Sequence, residues 1–225
     1  MAGDIPVITV DGPSGTGKGT VCRFLATKLR WKLLDSGALY RLLALAAQQK
    51  GIDFMDEKSL SELAISFDIH FDAYSENGIY LYGEEVSSLI RTEDCGSAAS
   101  RVAAIAGVRE ALLQRQRAFR TLPGLVADGR DMGTVVFPDA LLKVFLTASP
   151  DERARRRYKQ LIEKGINVNL RDLSADIAER DRRDKERTVS PLLAAEDAVL
   201  IDSTDRDVDS VLQQVFKMVS EKLGE

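Results

Sequence analysis

Residues 12–20 read GPSGTGKGT and match the pattern G-x-x-x-x-G-K-[ST] up to its last position. Glycine permits backbone conformations in which successive N–H groups point inward, and such loops bind phosphate. Lys18 adds a mobile positive charge, and the helix predicted to follow adds its unpaired N–H groups. Where Ser or Thr would bind magnesium, the sequence has Gly19, followed by Thr20. The spacing predicts a nucleoside triphosphate site and leaves motor, switch and kinase open.

Two arginine-rich segments could supply further positive charge. Residues 149–165 open with a capping box, in which Ser149 is the cap, Pro150 lies in the first turn and Glu152 follows three residues after the cap. Helical spacing places three arginines of this segment on one face: Arg153, Arg156 and Arg157. Residues 179–187 place four charged side chains on one face of a second helix: Arg180, Arg183, Asp184 and Arg187.

These arginines have three interpretations. Interleaved acids favour a solvated, salt-bridged surface for an arbitrary helix. A nucleic-acid patch is disfavoured by the net charge of −4 and by the lack of interleaved aromatic residues. Beside a phosphate loop, however, arginine suits phosphoryl transfer, because its planar fork binds phosphate oxygens and stabilises the charge of the transition state. Arg41 and Arg130, which follow predicted strands, could join them.

Composition restricts the class of protein. A chain of 225 residues with 44% hydrophobic residues can form one domain, or one domain with an insertion. It has no run of 18 apolar residues and no basic-then-apolar start, so we expect neither a membrane span nor a signal peptide. Cys22 and Cys95 have no metal-site spacing, and Cys22 is expected to be a buried core residue. A cytoplasmic protein is the simplest expectation. We also expect a monomer, because no exposed apolar stripe is evident.

The order of elements indicates an α/β fold. Five short apolar runs are predicted strands, and helical patterns separate most of them, as in a parallel sheet with helices on both faces. These runs are VITV (7–10), WKLL (31–34), LVA (125–127), LKVFL (142–146) and AVLI (198–201). Polar segments, three of them with glycine, follow four of these runs, and ligands bind at the carboxyl ends of such strands. The phosphate loop follows the first strand, DSGALYR the second, DGRDMG the third and DST the fifth.

Residues 52–101 interrupt this alternation. DIHF and IYLYG flank a turn that includes Asn77-Gly78, which predicts a small antiparallel element inserted into the α/β domain. His70, the one histidine of the chain, lies in this element. We expect it to be structural or solvent-facing, and not catalytic.

A small kinase fits the pattern better than other nucleotide enzymes. No N-K-x-D guanine signature is present, and a motor would need a longer chain. A hydroxyl acceptor usually needs a carboxylate base, whereas a nucleoside monophosphate, with a second pKa of about 6, is already an anionic nucleophile at pH 7. Such an enzyme needs groups that position phosphates more than it needs bases.

Five segments resemble the bacterial cytidylate kinase family. They are ITVDGPSGTGKGT, LLDSGALYR, VADGRDMGTVVFPDA, ERDRRD and the closing DST, and the resemblance runs from about Pro6 to the C-terminal helix. It implies a P-loop kinase fold: a five-stranded parallel sheet flanked by helices in one domain over 1–225, with a monophosphate-binding insertion over about 52–101 and a helical lid over about 150–165. A glycine after the loop lysine recurs in nucleoside monophosphate kinases, so Gly19 supports the resemblance.

The resemblance also implies roles for individual residues. Lys18, Arg130 and Arg180 would be catalytic. ATP would be bound by Gly12, Pro13, Ser14, Gly15, Thr16, Gly17, Lys18, Gly19 and Thr20, and by the lid arginines Arg153, Arg156 and Arg157. Arg41, Arg130 and Arg180 would bind the phosphate of CMP, and Ser36 would help to place it. The cytosine edge would be read by Ser100, Arg109, Asp131 and Arg187, and Asp184 would accept from the sugar hydroxyl.

The implied reaction transfers the γ-phosphoryl group of ATP to CMP or dCMP, with Mg²⁺ bridging the ATP phosphates. Asp128 is a candidate ligand of the metal, unless waters complete its shell. Neither nucleic acid nor membrane would be a partner. One alternative is a P-loop kinase for another nucleoside monophosphate or for a hydroxy acid such as shikimate, with Asp35 as base. Another is a nucleotide-binding regulatory module without transferase activity.

Overall fold

The computed structural model describes residues 5–71 and 78–224. The chain forms two compact units. One consists of Met1–Asp35 and Arg117–Glu225, and the other of Ser36–Gln116. The second unit includes the segment predicted as an insertion and extends beyond it at both ends.

The first unit contains a parallel five-stranded sheet. Its strands, in chain order, are β1 (Val7–Asp11), β2 (Lys32–Asp35), β6 (Leu125–Gly129), β7 (Leu142–Thr147) and β8 (Val199–Asp202), and their spatial order is β2-β6-β1-β7-β8. All five predicted strands are therefore confirmed. Every residue of β1 is buried, as expected for the central strand of a sheet that helices cover on both faces.

Two strands begin one residue later than the apolar runs suggest. The N–H of Trp31 donates to Ala26 O, 3.0 Å away, and so terminates the preceding helix, whose C-cap Arg30 has a φ of 55°. The N–H of Ala198 donates to Ala195 O, also 3.0 Å away, in a turn. An apolar side chain indicates burial, whereas a strand requires hydrogen bonds to a neighbouring strand. At both positions the backbone N–H donates within a local turn instead.

The α-helices of this unit, within its described residues, are α1 (Lys18–Leu29), α6 (Pro150–Glu163), α7 (Leu170–Glu186) and α8 (Val208–Leu223). α1 and α8 pack their apolar sides into the core of the sheet, where Cys22 is fully buried, as predicted. A separate apolar cluster joins α6 to α7 through Ala154, Leu161, Leu173 and Ile177. α6 and α7 therefore form a pair with a small core of its own.

The second unit is mainly helical. Its helices are α2 (Ser36–Gln49), α3 (Glu57–Ser66), α4 (Glu93–Val102) and α5 (Ala106–Arg117), with a 3₁₀ turn at Leu89–Arg91. A three-stranded antiparallel sheet accompanies them, formed by β3 (Ile69–Phe71), β4 (Ile79–Leu81) and β5 (Glu84–Glu85). The antiparallel element was predicted, although β5 was not. His70 is exposed on β3, and the predicted Asn77-Gly78 turn lies outside the described residues, because these resume at Gly78.

Candidate active site

The glycine-rich loop lies between β1 and α1, as the sequence predicts. Three of its glycines have positive φ angles, 145° at Gly12, 82° at Gly15 and 98° at Gly17. At Gly12 a Cβ atom would lie 2.0 Å from the carbonyl oxygen of Leu146 in β7, so no other residue fits there. The local sequence therefore dictates both the path of the loop and its close approach to the neighbouring strand.

Protein donors occupy the carbonyl oxygens of the loop. Pro13 O accepts from Lys18 Nζ at 2.7 Å and from Thr16 Oγ1 at 3.2 Å. Ser14 O accepts from Arg153 Nη1 at 3.0 Å, and Thr16 O accepts from Ser203 Oγ at 3.3 Å. A carbonyl oxygen that binds a protein donor presents less negative charge to an incoming phosphate, so these contacts prepare the loop for an anion.

Lys18 is buried among charged groups. Burial is the main cause that lowers the pKa of Lys18 from 10.5 to about 8. The charge of Arg130 acts in the same direction, and that of Asp128 acts against it. A bound triphosphate would favour the charged lysine and raise its pKa again.

We therefore expect the affinity for ATP to depend on pH on the basic side. Above about pH 8 the ligand-free protein loses the Lys18 proton, and the dissociation constant for ATP should rise about tenfold per pH unit. Calorimetric titration of ATP without acceptor, between about pH 6.5 and pH 9.5, would measure it. A constant affinity over that range would contradict a buried lysine of lowered pKa.

Two carboxylates lie near Lys18. The side chain of Asp11 accepts from the backbone N–H groups of Met132, at 2.9 Å, and Gly133, at 2.8 Å, and thereby fixes the start of the segment after β6. Burial raises the pKa of Asp11 and that of Asp128 to about 6 in each case. Asp128 Oδ2 lies 3.5 Å from the position that a Cβ atom on Gly19 would occupy. Asp128 thus lies beside the position from which a Ser or Thr would otherwise bind metal.

This donor set fits Mg²⁺. The described part of the chain, residues 5–71 and 78–224, contains no group of three or more His, Cys, Asp or Glu that could hold a metal ion. Mg²⁺ in nucleotide enzymes usually binds through one or two carboxylates together with substrate phosphates and waters. Asp128, next to the loop lysine, is a carboxylate that could serve in this way.

α6 begins as predicted, with Ser149 Oγ accepting from the N–H of Glu152 at 3.3 Å and Pro150 in the first turn. The reciprocal half of the predicted capping box is replaced. The N–H of Ser149 donates to Thr204 Oγ1 at 2.9 Å, and the Glu152 carboxylate accepts from Arg156 Nε at 2.9 Å. The partner of the Ser149 N–H is thus Thr204, which is distant in sequence. The spacing of residues within one helix could not indicate it.

The three arginines of α6 have different surroundings. Arg153 is 2% exposed and donates to Ala148 O, Ser14 O and the carboxylate of Asp181 in α7. Arg156 donates to Ser203 Oγ at 3.1 Å and Ser203 O at 2.6 Å. Arg157 donates to Gln160 Oε1 at 3.4 Å on the exposed side. The surroundings of Arg153 favour a supporting role over direct contact with ATP.

The charged face predicted on α7 is largely buried. Arg180 and Asp184 are each less than a tenth exposed, and Arg183 is partly buried. Arg187 was predicted on the same face and is equally buried, but α7 ends at Glu186 and Arg187 is its C-cap, with a ψ of 133°. The N–H of Leu192 and the Nε of Arg187 donate to Asp184 O at 2.7 and 3.3 Å, so the helical hydrogen-bond pattern stops there. Arg182, which lies off this face, is the solvated, salt-bridged residue, with Glu179 and Glu186 as its partners. The interpretation as a solvated, salt-bridged surface therefore applies to Arg182. It does not apply to the buried face that carries Arg180 and Asp184.

Arg130 joins this face from the end of β6. Its Nε atom donates to Asp184 Oδ2 at 2.9 Å. Burial opposes the charge of Arg130, but the carboxylates of Asp184, Asp128 and Asp181 together outweigh it and raise the pKa of the guanidinium above its ordinary value. Asp131, also buried, precedes a π-helical turn at Met132–Val136, and its carbonyl oxygen accepts from the N–H of Val135 at 2.9 Å. Arg130, Asp131, Arg180, Asp184 and Arg187 all belong to the first unit.

The remaining predicted residues belong to the second unit. Ser36 is buried at the start of α2, and Arg41 Nη1 donates to Ile90 O at 2.7 Å and Thr92 O at 3.1 Å. Arg109 Nη1 donates to Ala103 O at 3.2 Å. The hydroxyl of Ser100 is buried and has no hydrogen-bond partner within residues 5–71 and 78–224. A buried hydroxyl without a partner is costly, and a ligand could satisfy it.

Sequence reasoning missed Asp11, Asp181 and Ser203. Asp11 directly precedes the loop, and Ser203 lies in the DST segment, so their positions gave a partial signal. From the sequence, Asp181 was only one of the acidic residues interleaved among the arginines. Its role depends on Arg153, on a different helix, and helical spacing within one segment cannot reveal such a partner.

Comparison with known proteins bears on the family. The family model described as Cytidylate kinase matches residues 8–221. The chain belongs to the cytidylate kinase family. A cytidylate kinase of Nitrosococcus oceani is 59% identical over 225 residues, which cover 99% of either chain. Cytidylate kinases of Aeromonas salmonicida, 57% identical, and Pseudomonas aeruginosa, 56% identical, are matched over at least 96% of each chain.

The resemblance drawn from the five sequence segments is thus confirmed, as is the P-loop kinase fold. Members of the cytidylate kinase family are phosphotransferases, and so this chain is an enzyme of that class. Among the described residues, no helix is long and apolar enough to cross a membrane.

Proposed function

We propose that this member of the cytidylate kinase family transfers the γ-phosphoryl group of ATP to the phosphate of CMP or dCMP, giving ADP and CDP or dCDP. The observation that carries the proposal is the burial of Arg180 and Asp184 on α7 and of Arg187 just past its C-terminal end. Burying charged side chains is costly, and a protein that only bound ATP would have no use for this set. An enzyme that holds a second phosphate and a polar base would use it.

The chemistry needs positioning more than proton transfer. The phosphate of CMP, with a second pKa of about 6, is a dianion at pH 7 and can attack without a base. Lys18 and the loop from Gly12 to Thr20 would hold the ATP phosphates. Arg41, Arg130 and Arg180 would hold the acceptor phosphate, and Lys18, Arg130 and Arg180 would stabilise the charge of the transition state.

Recognition of the nucleoside would use the other polar groups. Asp184, which Arg130 orients through a 2.9 Å hydrogen bond, would accept from a sugar hydroxyl. Ser36 would help to place the acceptor. The cytosine edge would be bound by Ser100, Arg109, Asp131 and Arg187, and the buried, partnerless hydroxyl of Ser100 supports its part in this proposal.

Mg²⁺ would be held by Asp128 together with ATP phosphates and waters. When bound, the ion would supply positive charge that neutralises the phosphate oxygens of ATP. Asp128 is proposed because its Oδ2 atom lies 3.5 Å from the position that a Cβ atom on Gly19 would occupy.

The proposal extends to organisation and location. The chain would act as a single kinase domain with the monophosphate-binding insertion over about 52–101, and residues 150–165 would act as a lid in which Arg156 and Arg157 approach ATP. We propose a monomer in the cytoplasm. Cys22 and Cys95 are buried and form no disulfide within the described residues, which supports a reducing compartment.

The test is ADP release from Mg-ATP with CMP, dCMP, UMP, AMP, GMP and shikimate offered singly beside a blank without acceptor. Release with CMP and dCMP alone would support the proposed acceptors. Release with another acceptor would support a kinase but contradict the roles assigned to the cytosine-binding residues. If shikimate were that acceptor, Asp35 would become the candidate base. ATP binding without any release would favour the regulatory module.

Replacement of Arg187 by alanine tests base recognition. We expect KM for CMP to rise about tenfold or more and KM for ATP to change less, because a lost charged hydrogen bond costs about 1.5–3 kcal/mol. Arg182→Ala, on the solvated side of α7, is the matched control and should change neither value. Equal increases in both Michaelis constants would exclude a role of Arg187 in reading the base.

A further inference from the structure

Arg153 lies behind the phosphate loop and holds it. Its Nη1 atom donates to Ser14 O at 3.0 Å, and its Nε atom donates to Ala148 O at 3.1 Å, just after β7. α6 also approaches the loop closely, because a Cβ atom added to Gly15 would lie 3.1 Å from the Cβ and 3.3 Å from the carbonyl oxygen of Arg153. One side chain thus joins the loop to both the sheet and the helix.

Asp181 in α7 fixes this arginine. Its two carboxylate oxygens accept from Nη1 and Nη2 of Arg153, and the Nη1 contact measures 3.0 Å. The pair is bidentate, and the side chains are 2% and 15% exposed, so solvent screens it little. Without Asp181, the guanidinium would keep its charge but lose the partner that sets its orientation.

The hydrogen bond from Arg153 to Ser14 O also affects the N–H groups that face the phosphate. That oxygen and the N–H of Gly15 belong to the same peptide group. A charged donor on the oxygen polarises the group and makes the N–H a stronger donor. The same hydrogen bond also holds the Ser14 carbonyl oxygen away from the position that the phosphate would occupy.

We propose that Arg153 is a positioning residue of the phosphate loop, held by Asp181, and not an arginine of the lid that contacts ATP. This rests on the proposed function only in that the loop binds ATP. Asp181 thereby supports ATP binding from the helix that carries Arg180 and Asp184.

The Asp181→Asn variant distinguishes the two roles by the sign of its effect. A positioning role predicts that the dissociation constant for ATP, measured by calorimetry without acceptor, rises about fivefold to tenfold, because the guanidinium loses its charged bidentate partner. A lid role predicts the opposite, since Arg153 would be released to reach ATP. An unchanged or lower dissociation constant would overturn the proposal.

Variants of Arg153 complete the test. Arg153→Met should raise the dissociation constant for ATP at least as much as Asp181→Asn does, and the double variant should be no worse than Arg153→Met alone. Arg153→Lys should recover part of the affinity, because lysine can reach one acceptor but not all of them. Should Arg153→Met fail to fold, Arg153→Lys and Asp181→Asn decide the matter. Additive effects of the two sites would contradict the coupling.

Two controls separate this inference from its premises. Arg155→Met removes an exposed arginine of the same helix and should leave ATP binding unchanged. KM for CMP should change less than about threefold in Asp181→Asn, whereas a general loss of structure would affect both substrates. Failure of CMP-dependent ADP release in the wild-type protein would reject the proposed acceptor and leave the ATP measurement valid.

Discussion

Replacement of Lys18 by alanine should lower the turnover number by about 10³-fold, because loss of one charged donor at a transferred phosphoryl group removes stabilisation that water cannot restore. The fold should survive, since burial already disfavours the charge of this lysine and alanine relieves that cost. Steady-state ADP release with saturating CMP would measure turnover, and thermal unfolding followed by circular dichroism would measure stability.

The matched control is Lys28→Ala, an exposed lysine at the other end of α1. It changes the net charge equally and should leave turnover within about twofold, because surface charges are screened by salt. Near-normal turnover in Lys18→Ala would refute the phosphate-loop assignment, whatever the acceptor.

Gly12→Ala should destabilise the protein by more than about 4 kcal/mol, or prevent folding. Two effects combine at this residue. The φ of 145° is unfavourable for alanine, and the added Cβ would lie 2.0 Å from Leu146 O. That oxygen belongs to the backbone of a strand paired on both sides, so it cannot move away. Chemical denaturation of the variant and the wild type would give the difference.

Gly51→Ala separates the two effects. Gly51 has a positive φ of 65°, and nothing lies within 4 Å of a Cβ added there. Its substitution should cost only about 1–2 kcal/mol, the penalty for a left-handed backbone. A similar loss at both glycines would show that conformation alone, without the contact at Leu146, explains the effect at Gly12.

The sequence predicted the loop and the sheet well because both signals are local. The glycine spacing of residues 12–20 depends on backbone conformation, and the apolar runs depend on burial on both faces of a parallel sheet. β5, formed by Glu84 and Glu85, has exposed acidic side chains and no apolar signal, so only its pairing with β4 reveals it.

The arginines show where local reasoning ends. Helical spacing correctly grouped Arg180, Arg183 and Asp184 on one face of α7, because that follows from the geometry of one helix, but Arg187 lies past the end of that helix. Whether a charged face meets solvent, a ligand or another helix depends on tertiary contacts. Arg153 and Arg156 share a face of α6, yet one binds Asp181 and the loop while the other binds Ser203.

The hydrogen bond from Lys18 to Pro13 O also affects the thermodynamics of ATP binding. A free lysine side chain loses up to about 2 kcal/mol of rotamer entropy when a ligand immobilises it. Lys18 is already immobilised by its 2.7 Å contact within the loop. Most of its rotamer entropy is therefore lost on folding, before ATP binds. Its share in binding should therefore appear as favourable enthalpy with little loss of entropy.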